Sequence, residues 1–129
     1  MADQLSDDDK LALARRFARA SRTNDREAYA ALCAPGAVTW HNFDEVEVTT
    51  EQTVRTIGWL HRTVTDLAWA DLALLPTPTG FVSQTIMTGT VKGRPLKVHS
   101  CVVATLDGNG LVARVEEYLD SAQTAVLAG

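Results

Sequence analysis

The chain has 129 residues, of which 46% are hydrophobic and 22% are charged, and its formal net charge is -4 at pH 7. This length fits a single domain, residues 1–129, with a core large enough to surround an internal pocket. The negative charge argues against nucleic acid or an anionic membrane as the main partner. No apolar run is long enough to span a bilayer, and no signal-peptide pattern is present, so we expect a cytoplasmic protein.

The beginning of the chain has the pattern of a helix. Ser6 is a suitable N-cap, and three aspartates follow it in the first turn, where the helix dipole favours negative charge. Leu13, Phe17 and Ala20 fall on one side of this helix and predict its buried face. Residues 23–25 should end it.

Two further helices and a strand are expected in the first half of the chain. A short helix should bury Tyr29 and end at Pro35-Gly36, and residues 37–42 then have the pattern of a strand. Thr49 and Gln52 have the spacing of a capping box, which predicts that another helix begins there.

From residue 66 onward the hydrophobic period changes to two, as in β-strands. Strands are predicted at about 67–75, 81–91, 96–106 and 111–119, and the short glycine-containing links between them are typical of antiparallel hairpins. Helices followed by such a meander indicate an α+β domain, in which the helices pack on one face of a curved sheet.

The last predicted strand carries an acid on an otherwise apolar face. A carboxylate in such a row loses hydration, which raises its pKa and allows it to exchange protons near neutral pH. Glu117 is therefore the candidate general acid or base. Asp120, at the end of the strand, is the alternative if the register slips by one or three residues. The row consists of Leu111, Ala113, Val115, Glu117 and Leu119.

The preceding strand should turn its drier row toward the same face as Glu117, because adjacent antiparallel strands bury the same side. That row includes Val98, Ser100 and Val102, whereas His99 points away and is expected at the surface or an interface. No bound metal is expected, because the histidines and cysteines lack the spacing of metal ligands.

The segments Ala37-Val38-Thr39-Trp40-His41-Asn42 and Val115-Glu116-Glu117-Tyr118-Leu119-Asp120, in this order of elements, resemble the nuclear-transport-factor-2-like superfamily. Its SnoaL-like polyketide cyclase and limonene-epoxide-hydrolase-like branches are the most similar. The resemblance covers nearly the whole chain. It implies a conical α+β fold, with N-terminal helices packed on a curved, mostly antiparallel sheet that encloses a pocket, and a homodimer formed through the outer face of the sheet.

The resemblance transfers to particular residues only in part. In the epoxide hydrolases a terminal-strand acid, matched by Glu117, activates water with a polar pair on the first strand, matched by Trp40 and Asn42. The arginine and aspartate that polarise the epoxide oxygen align with Ile86 and Thr88, so that half of the machinery is missing. The base of ketosteroid isomerases aligns with Asn42, which cannot accept a proton, and their carboxylic-acid donor aligns with Val102. The cyclase branch, in which a terminal-strand acid is the main proton acceptor, therefore fits best.

The resulting hypothesis is a cofactor-independent enzyme, of isomerase, cyclase or dehydratase type, acting on a small and largely apolar carbonyl compound. Glu117 would remove a proton from the carbon next to the carbonyl or from water, and Asn42 with the Trp40 indole would bind the oxyanion. His41 alternates away from Trp40 and is expected to lie in a loop or to support the pocket by a hydrogen bond. Epoxide-hydrolase-type water activation, a noncatalytic metabolite-binding domain and a protein-docking domain remain alternatives. The residues expected to contact the substrate are Thr88, Ser100, Ile86, Val98, Leu119 and His41.

Overall fold

The structure, a computed structural model, describes residues 5–128. Its helices are α1 (Asp7–Arg22), α2 (Arg26–Leu32), α3 (Thr50–Thr63) and the short α4 (Ala125–Ala128). Its strands are β1 (Cys33–His41), β2 (Glu47–Thr49), β3 (Thr65–Thr77), β4 (Gly80–Val91), β5 (Arg94–Leu106) and β6 (Val112–Leu119).

All of the strands form one sheet in the order β2-β1-β6-β5-β4-β3. Every neighbouring pair is antiparallel except β1 and β6, which are parallel. Helix α1 packs on β3 and β4, and α3 packs on β1 and β3. The predicted α+β architecture with a mostly antiparallel sheet is therefore confirmed.

The helices begin where the capping residues predict. The Ser6 hydroxyl accepts a hydrogen bond from the Asp9 backbone N–H at 3.0 Å, and the Thr49 hydroxyl accepts one from that of Gln52 at 3.1 Å. In both cases the residue three positions on accepts a hydrogen bond from the backbone N–H of the capping residue, which completes a capping box. The cap at Thr49 fixes the start of α3 directly after β2.

The start of β1 differs from the prediction. Helix α2 ends at Leu32, and Pro35-Gly36 lies inside β1 rather than at the end of the helix. Gly36 has a φ of 77°, and the register with β6 shifts between Cys33 and Val38. Proline has no N–H to donate to a ladder, and glycine adopts positive φ without strain, so this irregular segment suits them.

Two apolar clusters form the core, and both border one internal cavity. The first includes Phe17, Tyr29, Phe81 and Val115, and the second is built around Val98. Toward one end, β5 contributes Ala104 and Leu106 to the first cluster, and toward its other end it contributes Leu96 and Val98 to the second. None of the helices within residues 5–128 is long and apolar enough to cross a membrane.

Candidate active site

A cavity of about 530 Å³ lies between the helices and the sheet. This volume is in the range of small-molecule pockets, roughly 300–1,000 Å³. We call the side of the sheet that borders the cavity the inner face and the opposite side the outer face. The inner face carries alternate residues of the strands, as the pleat requires. On β1, β4, β5 and β6 these residues are Thr39, His41, Phe81, Ser83, Thr85, Met87, Val98, Ser100, Val102, Val115, Glu117 and Leu119.

Glu117 lies on the inner face and accepts hydrogen bonds from both adjacent strands. His41 is its register partner on β1, and His41 Nε2 donates to Glu117 Oε1 at 2.8 Å. The Ser100 hydroxyl on β5 donates to Glu117 Oε2 at 2.6 Å. The side chains of His41 and Glu117 remain 24% and 28% exposed, and both border the cavity. A ligand in the cavity can therefore reach this hydrogen-bonded group.

The surroundings of Glu117 keep its carboxylate charged. Burial raises the pKa of Glu117, but the hydrogen bonds from His41 and Ser100 and the positive charge of His41 outweigh that effect, and the net pKa is lowered. The sequence predicted a raised pKa from the apolar row alone, and the net direction is opposite because two neighbouring strands supply donors. The Glu117 hydrogen bond raises the pKa of His41 against the opposing effect of burial. Negative charge on Glu117 and Asp44 raises it further.

Comparison with known proteins identifies the fold. Neither a protein-family model nor a curated protein sequence matches the chain. Among solved structures, an NTF2-like protein from Burkholderia thailandensis E264 matches with a TM-score of 0.80 and 16% identity, over 97% of this chain and 99% of the other. The chain has the nuclear-transport-factor-2-like fold.

Other structures with this fold belong to several kinds of protein. A SnoaL-like protein from Jannaschia sp. CCS1 matches with a TM-score of 0.77 and 17% identity, over 95% of this chain and 94% of the other. An LEH-like epoxide hydrolase from M. tuberculosis matches with a TM-score of 0.73 and 13% identity, over 95% of this chain and 92% of the other. At these identities the likeness establishes the fold and leaves the reaction to the site itself.

Within this fold, the two expected oxyanion donors do not reach the cavity. Trp40 pairs in register with Glu116 on the outer face, where its ring centroid lies 5.4 Å from that of Tyr118. Asn42 is exposed after the end of β1, and its Oδ1 accepts a hydrogen bond from the Leu119 backbone N–H at 2.9 Å. The correction follows from alternation, because placing His41 on the inner face turns Trp40 outward.

The residues of β4 that face the cavity also differ by one position from those expected to contact the substrate. Ile86 and Thr88 lie on the outer face, whereas Ser83, Thr85 and Met87 border the cavity. A shift of one residue exchanges the two faces of a strand, so the expected substrate contacts at Ile86 and Thr88 are replaced by their neighbours.

Asp120 is not part of the site. It follows β6, is exposed, and its Oδ1 accepts a hydrogen bond from the Ala122 backbone N–H at 2.9 Å, which stabilises the turn before α4. Glu117 is thus the acid that the terminal strand presents to the cavity, and Ser100, Val98 and Leu119 line it as expected.

His41 has a larger part in the site than the sequence predicted. Of the two alternatives, the loop position is replaced by the last residue of β1, and the supporting hydrogen bond is present, from His41 Nε2 to Glu117. The parallel pairing of β1 with β6 brings the two side chains together, and no local sequence pattern indicates that pairing. His99, by contrast, faces outward as predicted, and Gln123 Nε2 donates to its Nδ1 at 3.1 Å.

Two further groups complete the lining. Burial raises the pKa of the Tyr29 phenol well above its usual range, so this cavity residue stays protonated at neutral pH. Arg22 lines the cavity at the end of α1, and its Nη1 donates to Asp71 Oδ2 on β3 at 3.2 Å. Within residues 5–128, no three His, Cys, Asp or Glu side chains converge as metal ligands would.

Proposed function

We propose that the chain is a cofactor-independent enzyme that moves a proton on a small, largely apolar carbonyl compound. The observation that carries this proposal is the hydrogen-bonded series of His41, Glu117 and Ser100 at the wall of an apolar cavity. Titratable groups with shifted pKa values in a cleft are typical of sites that transfer protons.

Glu117 acts as the charged partner in this scheme. Its lowered pKa makes it a weak base, since an efficient proton acceptor has a pKa near the working pH. As a carboxylate, it accepts the Nε2–H of His41, fixes the tautomer of the ring and stabilises the imidazolium that forms when the ring gains a proton. Ser100 holds the second carboxylate oxygen and fixes the plane of the group.

His41 is the group that exchanges the proton. With Nε2–H donated to Glu117, the second ring nitrogen, Nδ1, carries the lone pair, and it forms no hydrogen bond within residues 5–128. In the first step Nδ1 takes a proton from the carbon next to the carbonyl, and the electron pair of the C–H bond forms the enolate. In the second step the imidazolium returns that proton to the far carbon of a conjugated enolate, which completes an isomerisation. In a cyclisation the enolate carbon first attacks a second carbonyl of the same molecule, and the proton goes to the alkoxide that this attack forms. In a dehydration the enolate electron pair forms the new C=C bond, and the proton goes to the departing hydroxyl.

Epoxide hydrolysis receives less support from the site. The resemblance to epoxide hydrolases requires an arginine and an aspartate on the second long strand of the meander. The inward residues of β4 near the Glu117 group are Ser83, Thr85 and Met87, none of which polarises an epoxide oxygen as an arginine does. Structural neighbours that include an epoxide hydrolase support a small-molecule enzyme without selecting the reaction.

Exchange of protons with heavy water tests the proposal without knowledge of the physiological substrate. We expect the protein to catalyse deuterium incorporation next to the carbonyl of small linear or cyclic ketones, followed by NMR in D₂O. A positioned base contributes about 10²–10⁴-fold in rate, so His41→Gln should lose exchange by about that factor. Glu117→Gln should also lose exchange, because the ring then lacks its charged partner. Glu116→Gln, on the outer face of the same strand, is the matched control and should retain the rate.

The pH profile of exchange identifies the base. If His41 is the base, the rate rises with pH through the His41 pKa, which lies above its ordinary value of 6.5. If Glu117 were the base, the rate would already be at its plateau above 4.5, the ordinary value for glutamate, because its pKa is lowered. Saturable binding of the ketones with no exchange above the buffer rate would instead identify a noncatalytic binder and overturn the proposal.

A further inference from the structure

The inner face has polar side chains in its middle and mainly apolar ones on both sides. On β5 and β6 one polar side chain lies between apolar ones, and β4 carries two, Ser83 and Thr85. On β6 the inward order is Val115, Glu117, Leu119; on β5 it is Val102, Ser100, Val98; and on β4 it is Phe81, Ser83, Thr85, Met87. We call His41, Glu117, Ser100 and Thr85 the polar band.

The strand register makes the polar band continuous across the sheet. His41 on β1 pairs with Glu117 on β6, and Ser100 on β5 pairs with Thr85 on β4. The hydrogen bond from Ser100 to Glu117 joins the two halves of the band. The band therefore crosses the cavity wall as one strip of hydrogen-bonding groups.

The walls on either side of the band belong to the two separate core clusters. Toward one side lie Phe17 and Phe81 of the first cluster, and toward the other lie Val98 and Met87 of the second. An ionised group placed in either part would lose its hydration without a partner, which is costly. Apolar groups placed there would gain by burial.

Most other polar groups in the lining already have partners. The Thr53 and Thr56 hydroxyls donate to backbone carbonyls one turn earlier in α3, and the Arg22 guanidinium is paired with Asp71. The Ser100 hydroxyl donates a hydrogen bond to Glu117. The side chains of Ser21, Ser83 and Thr85 also line the cavity and form no hydrogen bond within residues 5–128. Of these three, Thr85 belongs to the polar band, as the register partner of Ser100 on the adjacent strand.

From this arrangement we propose that the ligand is an uncharged compound whose oxygen function lies between two apolar groups, and that Thr85 donates a hydrogen bond to that oxygen. The inference rests on the proposed function only in taking the ligand to be a carbonyl compound. A compound with its oxygen at one end can bring that oxygen to the polar band only by leaving one apolar part of the cavity unfilled.

Isomeric ketones provide the test. Di-n-butyl ketone has its oxygen in the middle of the chain, and methyl n-heptyl ketone has the same composition with the oxygen near one end. Binding is followed by fluorescence quenching of Trp59 and Trp69, both of which border the cavity. We expect the central ketone to bind about five- to tenfold more tightly than its isomer, close to the contribution of one neutral hydrogen bond. We expect the nonanoate anion to bind more weakly than either.

Variants of β4 assign the preference to Thr85. Thr85→Val should remove the difference between the isomers, Thr85→Ser should retain it because the hydroxyl is kept, and Thr88→Val on the outer face of the same strand should leave it unchanged. Equal binding of the two isomers, tightest binding of nonanoate, no saturable binding of either ketone, or an unchanged preference in Thr85→Val would overturn the inference. Because the readout is binding, an isomer preference that depends on Thr85 without any deuterium exchange supports this inference while the proposed function fails.

Discussion

Glu116 and Glu117 are neighbours in the chain but lie on opposite faces of β6. On the inner face Glu117 accepts hydrogen bonds from His41 and Ser100. On the outer face Glu116 accepts a hydrogen bond from Arg114 Nε at 3.0 Å. An arginine stays charged at any physiological pH, whereas a histidine gains and loses its proton near neutrality. Glu116 is thus part of an ion pair that stays charged, whereas Glu117 is part of a pair that titrates near neutral pH.

The difference between the faces extends to packing, and it leads to the largest effect that we expect. Phe81 on the inner side is 2% exposed, whereas Leu72 on β3 is 59% exposed. Phe81→Ala should lower the free energy of unfolding by about 3–5 kcal/mol, because it removes a buried ring from the first core cluster. Leu72→Ala should change it by less than about 0.5 kcal/mol. Urea titration measures both, and equal losses in the two variants would contradict the assignment of core and surface.

The titrating pair predicts a pH window of stability. The folded pKa of Glu117 is lowered, so its contribution is present above the ordinary carboxyl value of 4.5 and is lost as the pH falls through the folded pKa. The folded pKa of His41 is raised, so its contribution is fully present below the ordinary value of 6.5 and is lost as the pH rises through the folded pKa. The pair therefore stabilises the protein most between these two values.

His41→Gln measures that window, because glutamine keeps a donor near Glu117 but cannot be protonated. We expect the free energy of unfolding of the original protein to exceed that of the variant by roughly 1–2 kcal/mol inside the window, as for a charge-assisted hydrogen bond. The excess should shrink on both sides of it. An excess that does not vary with pH would mean that His41 contributes by packing alone.

The alternation of β5 and β6 explains which parts of the site were accessible to sequence analysis. Glu117 stands in a regular apolar row, and Ser100 in another, so their common face follows from the pattern. The order of helices and strands likewise predicted the α+β architecture. Strand β2 and helix α4 are three and four residues long, too short to produce a period, and were not predicted.

The sequence does not show in the same way which residues of β1 and β4 face the cavity. In β1, Thr39 and His41 face the cavity, whereas the more apolar Val38 and Trp40 lie on the other face, so the hydrophobic pattern points to the wrong side. In β4, Ile86 and Met87 are both apolar and lie on opposite faces. The partner of His41 is also 76 residues away along the chain, on a strand that runs parallel to its own. Pairing over such a distance leaves no local signal.

The comparison of Glu116 with Glu117 can be sharpened by titrating one ring. In Glu117→Gln we expect the pKa of His41 to fall, because the hydrogen bond and the charge of Glu117 are what raise it, with a smaller effect from Asp44. Glu116→Gln should leave the His41 pKa where it is, since Glu116 faces the other side of the sheet. NMR titration of the imidazole signals gives both values, and similar shifts in the two variants would place the source of the raised pKa outside the cavity.

The outer ion pair should have the smallest effect. Arg114 also contacts Glu47 on β2, which is 56% exposed, and the pKa of Arg114 is raised by the hydrogen bonds to Glu47 and Glu116. Exposed ion pairs contribute about 0.2–1 kcal/mol and are screened by salt. Arg114→Gln should therefore lower the free energy of unfolding by less than about 1 kcal/mol, less still at high salt, and should not change proton exchange on ketones. A loss of exchange in this variant would mean that the two faces of β6 are coupled, and Glu116→Gln would then no longer serve as a control for Glu117→Gln.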